Sequence, residues 1–125
     1  MRKQHQEIIE YISLCFPHYQ WIRSRYFGKN KYVTVWDSWF SVHYHDTCVM
    51  NYDMRYWLLM LSFWCEDYRT NSTAWMMKDL VEWIFWYKWL PNWAWVKDEY
   101  NNKYVFNDNC MIEIEHVPLA KLKLK

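Results

Sequence analysis

The chain is short of glycine. Gly28 is the only one among 125 residues, where an average usage of about 7% would supply about nine. There is accordingly no Gly-rich phosphate loop, no Gly-x-Ser-x-Gly elbow and no His-Glu-x-x-His, and with those motifs go the commonest signatures of nucleotide binding, serine hydrolysis and zinc proteolysis. An excess of one charge is also missing. Lys and Arg number 15 against 14 Asp and Glu, which leaves no electrostatic footprint for a nucleic-acid partner. The longest apolar run, Tyr56 to Cys65, falls short of the roughly 20 residues of a membrane helix, so a soluble chain with no membrane partner is expected. Met1 to Glu7 is polar and lacks the apolar stretch of a secretory signal, which points to a cytoplasmic location. Cys15, Cys48, Cys65 and Cys110 are widely spaced without a Cys-x-x-Cys pair, a pattern of reduced, buried thiols rather than a zinc site. No cofactor is expected.

Large aromatics are abundant instead, with 11 Trp and 11 Tyr. Two origins fit this usage: a fast-diverging natural protein, or an artificial sequence written onto a backbone by a procedure that favours large side chains. The length suits one domain over 1–125, with a core region 2–90 and a C-terminal extension 91–125. The tail Lys121 to Lys125 reads as a solvated end or a lysine-blunted edge strand.

Periodicity places a helix over 2–15, with Ile8, Ile9, Ile12 and Cys15 at helical spacing and Pro17 as the stop. Strands follow over 19–27, 31–37 and 39–45, and Gly28 sits in the first connection, where a hairpin needs φ > 0. Tyr52 to Trp64 fits either helix or strand. After a polar connection from Glu66 to Asn71, Ser72 or Thr73 caps a helix running to about Leu90 and stopped by Pro91; Asn71-Ser72-Thr73 is read as loop and cap rather than as a glycosylation site. The core face of that helix is Met77, Leu80, Val81, Ile84 and Tyr87. Trp75, Trp86 and Trp89 lie on another side, with a C-terminal segment as the expected cover and a homo-oligomer sealing the tryptophans as the alternative. Strands return at Trp93 to Glu99, Lys103 to Phe106 and Cys110 to His116. The expected fold is α+β: an antiparallel sheet flanked by two helices, with a C-terminal β-rich extension.

Side chains alternate across a strand. Trp21, Arg23 and Arg25 therefore share one face of the first strand, and Ser41, His43 and His45 one face of the third. Two guanidinium groups, two imidazoles and a hydroxyl on a common face would suit a phosphate or carboxylate, because Arg presents a planar fork to two oxygens at once. The bland alternative is that Arg23 pairs with Glu7 or Asp37, or snorkels to solvent. His43 and His45 also have the spacing of two metal ligands, but no distant partner completes a set. Cys48 beside His45 would be a nucleophile and base only if the fold aligned them. No enzyme is expected.

With these elements placed, residues 2 to about 87 resemble a Src homology 2 domain, the module that binds phosphotyrosine peptides. Arg2 followed by Glu7-Ile8-Ile9 is similar to the start of the family's first helix, and Gln20-Trp21-Ile22-Arg23 to its Phe-Leu-Val-Arg strand. Tyr32-Val33-Thr34-Val35-Trp36, Ser41-Val42-His43-Tyr44, Arg55-Tyr56-Trp57-Leu58-Leu59 and Lys78-Asp79-Leu80-Val81-Glu82-Trp83 resemble its later strands and last helix. The family's N-terminal tryptophan strand has no counterpart, and only Ser24 stands where its phosphate loop carries several hydroxyls. The resemblance implies that Tyr56 to Leu61 is a strand and that Arg2, Arg23, Ser24, Arg25 and His43 hold a phosphate, with a phosphorylated peptide or another protein as partner. Beside it stands a reading of another class, a structural or interaction protein without a ligand site, supported by the aromatic excess.

Overall fold

The computed structural model describes residues 2–18, 20–62, 71–90 and 95–124, and shows an α+β fold in which two helices pack against antiparallel sheet. Helix α1 (Lys3–Cys15) buries Ile8, Tyr11, Ile12 and Cys15, the i, i+3, i+4, i+7 set that gives a helix one apolar stripe. Strands β1 (Arg23–Phe27), β2 (Lys31–Val35), β3 (Trp39–Tyr44), β4 (Thr47–Asp53) and β5 (Leu58–Ser62) form a meander, and helix α2 (Asn71–Ile84) follows. Then come β6 (Lys88–Leu90), β7 (Trp95–Lys97), β8 (Lys103–Val105) and β9 (Met111–Ile114), and a 3-10 turn at Leu119–Lys121. The large sheet has the order β1-β2-β3-β4-β5-β9, the small one β6-β7-β8. Among the described residues no helix is long and apolar enough to cross a membrane. Cys65, Pro91, the start of the strand expected at Trp93 and the connection expected from Glu66 lie outside the described residues.

Register explains which face is buried. Val35, Phe40, Tyr52, Leu59 and Ile114 stand opposite one another in turn, as do Val33, Val42, Met50, Leu61 and Ile112. All ten are buried. Phe16, just past α1, packs edge-on against Phe40 and Tyr52, and Phe85, just past α2, lies 5.9 Å from Tyr52. Both helices thus sit on the same face of the sheet, and His5 of α1 is hydrogen-bonded through Nδ1 to Asp79 Oδ2 of α2 at 2.6 Å.

Several expectations need correction. Strand β4 was hidden in the sequence because its turn, His45–Asp46, contains no glycine; both residues take positive φ, 50° and 63°, a conformation for which His and Asp are among the more tolerant non-glycine types. His45 therefore lies in a turn and does not share a strand face with His43. Of Tyr52 to Trp64, the described residues up to Ser62 form the end of β4, a turn over 54–57 and strand β5, so the strand implied from Tyr56 starts at Leu58 instead. Helix α2 starts at Asn71, ahead of the expected cap, and stops at Ile84 rather than Leu90. The C-terminal segment ends it: Lys123 N–H donates to Ile84 O, Lys123 Nζ donates to Glu82 O, and Leu122 bridges to Phe85, supplying partners to carbonyls that a helix end leaves open. Residues 121–123 of the basic tail are therefore docked on the end of α2 and its surroundings, with Lys121 also paired to Glu99 at 2.8 Å. Trp89, in β6 rather than in the helix, is buried and packs edge-on against Phe106, whereas Trp75 and Trp86 stay exposed, with Lys78 and Lys123 set over their rings. Cys15 and Cys48 are free thiols, as expected, but Cys110 is disulfide-bonded.

Candidate functional site

On the side away from the helices the same strands carry polar and aromatic residues. Ser24, Thr34, Ser41 and Asn51 stand opposite one another across β1 to β4, and Ser24 Oγ shares a hydrogen bond with Thr34 Oγ1 at 2.8 Å. Beside that row, Tyr26, Tyr32 and His43 form a ladder of rings: Tyr26 lies 5.2 Å from Tyr32, and Tyr32 stacks on His43 at 4.3 Å with the planes 4° apart. At the other end, Trp36 meets Trp39 edge-on, and the Arg55 guanidinium lies 5.8 Å from the Trp36 ring. Arg55 is fixed there by two bonds to Asp53, Nε to Oδ1 at 3.0 Å and Nη2 to Oδ2 at 2.8 Å. These hydrogen bonds hold the Asp53 carboxyl below its usual range. Together the surfaces enclose an open groove of about 500 Å³, floored by hydroxyls and amides and walled by aromatics at each end.

A β-bulge shapes the groove. The register between β3 and β4 shifts at Val42/His43, so that Val42 faces Met50 and His43 faces Cys48. Val49 is the additional residue. It turns inward and is buried, which brings Cys48 to the groove side beside His43. Burial pushes the Cys48 thiol up, and its Sγ–H donates to Met50 O at 3.4 Å. Burial likewise lowers the His43 pKa, against the opposing pull of the Asp46 carboxylate. His43 Nδ1 is buried and has no hydrogen-bond partner.

The residues expected to hold a phosphate are divided between the two faces. Ser24 and His43 are on the groove side. Arg23 and Arg25 pair with Val35 and Val33, so they project to the helix side at the sheet edge, where Arg25 lies 5.6 Å from the Tyr11 ring centre and 4.9 Å from that of Phe27. Arg2 is the N-cap of α1, close enough to Lys31 for its charge to add to burial in lowering the Lys31 pKa. Alternation within each strand was legible, but the relative phase of two strands depends on register, and a one-residue slip exchanges the faces. Asn51, Asp53 and Arg55 went unrecognised with β4; the signal was the alternation of Met50 and Tyr52 with Asn51 and Asp53. Among the described residues no group of three or more His, Cys, Asp or Glu is placed to hold a metal ion.

No protein-family model, no curated protein and no solved structure matches the chain.

Proposed function

We propose that this chain is a non-enzymatic interaction protein that offers the helix-free side of its sheet to a partner. The observation that carries this reading is the groove over Thr34, Ser41 and Asn51, with its aromatic ends. A mixed polar and aromatic concavity is suited to recognition. Its one candidate catalytic pair is set against turnover. A Cys–His nucleophile works as thiolate and imidazolium, whereas here burial raises the thiol and lowers the imidazole, and Cys48 spends its proton on a backbone carbonyl.

The test is a peptide-display selection on the folded protein, followed by amide-shift mapping of the selected peptide. Shifts centred on Thr34, Ser41, His43 and Asn51 are expected. Hydrolysis of a panel of esters and thioesters that disappears in Cys48→Ala would overturn the reading in favour of an enzyme.

The finer reading, a phosphotyrosine-peptide module resembling a Src homology 2 domain, rests on Arg23 with Arg2, Ser24, Arg25 and His43. The division of these residues between two faces weighs against it. Calorimetric titration with phosphotyrosine peptides and unphosphorylated controls decides: phosphate-dependent binding weakened by roughly 2–5 kcal/mol in Arg23→Ala would establish a charge-paired pocket, and its absence in a well-folded protein removes that module.

A further inference from the structure

Strand β1 is an edge of the large sheet. Among the described strands it pairs only with β2, so part of its backbone N–H and C=O groups points outward from the sheet. Such an edge is a template for another strand, and proteins commonly blunt it with a proline, a bulge or charge. β1 contains no proline, and its register with β2 is unbroken from Arg23 to Phe27. Arg23 to Tyr26 are all exposed, as are Trp21, at 81%, and Ile22 just before them.

The remaining guard is charge, and it is selective. Antiparallel pairing of β1 with β1 of a second copy would gather four arginines on one face of the new ribbon, and like charges set side by side across a ladder are unfavourable. Carboxylates at alternate positions of an incoming strand would instead meet Arg23 and Arg25. A guanidinium resting on aromatic rings, as Arg25 does on Tyr11 and Phe27, can still present N–H groups at its edge to a carboxylate. On the groove side the same strand offers Ser24 and Tyr26, with the exposed Ile22 just before it, which suit small apolar or hydroxyl side chains.

We propose that β1 accepts an extended acidic peptide by strand addition, with carboxylates at alternate positions facing Arg23 and Arg25 and apolar or hydroxyl side chains facing Ser24 and Tyr26. This mode takes affinity from main-chain hydrogen bonds and specificity from alternate side chains. The edge and the groove are separate surfaces, so either can fail alone.

The probe is a synthetic dodecapeptide alternating glutamate with valine and threonine, compared with its glutamine counterpart and with two N-methylated forms, one methylated at the glutamates and the other at the intervening residues. Only one of these two sets of amides can face β1. Expected are amide shifts over 22–27, binding weakened about tenfold or more by the glutamine peptide and by Arg25→Glu, and loss of binding on methylation of one set but not the other. Equal binding of the glutamate and glutamine peptides, indifference to both methylations, shifts confined to Thr34, Ser41 and Asn51, self-association of the protein through β1, or no binding at all would each overturn the proposal. Shifts confined to the groove would do so while leaving the interaction reading intact.

Discussion

The two faces of the large sheet are built by alternate residues of the same strands, yet they obey opposite rules. On the helix side, Val33, Val35, Phe40, Val42, Met50, Leu59 and Leu61 are fully buried, and what matters there is apolar volume. Among the fully buried strand residues there, Tyr52 carries a polar group, and it is satisfied: its hydroxyl donates to Val117 O at 2.6 Å, and burial, then the Asp53 charge, pushes its pKa up to about 12. On the groove side the reverse holds. Ser24, Thr34, the Asn51 amide and the Asp53–Arg55 ion pair stay at least partly solvent-accessible, Ser41 is buried beneath them, and the buried atom His43 Nδ1 is left without a partner.

The sharpest way to break this comparison is to truncate one residue on each face. Phe40→Ala removes a fully buried ring packed on Phe16 and Tyr52, and should cost about 3–5 kcal/mol in urea unfolding. Thr34→Ala, which loses the bond to Ser24, should cost at most about 1 kcal/mol. Comparable losses would show that the groove face is also structural. Next in size is Gly28→Ala in the β1–β2 turn. Gly28 has φ +74°, and a Cβ there would lie 2.6 Å from Gln4 Nε2, so a loss of about 1–3 kcal/mol is expected; a neutral result would mean that the turn relaxes around the new methyl. Tyr52→Phe comes third. It leaves Val117 O without its donor, for a loss of about 1 kcal/mol, and no loss in thermal melts would show that water replaces the hydroxyl.

How much of this was legible follows from what each feature depends on. Helix α1 and the β1–β2 turn rest on local signals, helical spacing before Pro17 and a single glycine where φ must be positive, and they appear where the sequence places them, although β1 starts at Arg23 rather than 19 and β2 ends at Val35 rather than 37. The α+β class follows from the same signals. The end of α2 depends on Lys123 and Leu122, distant in sequence from Ile84, so periodicity alone extends the helix into what is strand β6. The common face expected for the arginines and the histidines does not form: Arg23 and Arg25 lie on the helix side and His43 on the other, with Ser24, because register, not alternation, sets the phase between strands.

The finest probe of the groove face is proton binding at His43. Burial lowers its folded pKa from the ordinary 6.5, with the Asp46 charge acting in the opposite direction. The unfolded chain therefore takes up the proton more readily, and stability present above pH 6.5 should decline as pH falls through the folded value. Other depressed groups do not blur this window. Asp53, held down mainly by its Arg55 hydrogen bond, and Asp98, whose burial is outweighed by hydrogen bonds from Asn102, Tyr100 and Tyr104, act only below the ordinary carboxylate value of 3.8. His43→Asn should flatten the urea midpoint against pH between about pH 7 and 5. Asp46→Asn should steepen it, because the carboxylate that favours the imidazolium is gone. A His43 ring that titrates by NMR at or above 6.5 would show that the imidazole is hydrated, and the expected decline of stability through this window would not occur.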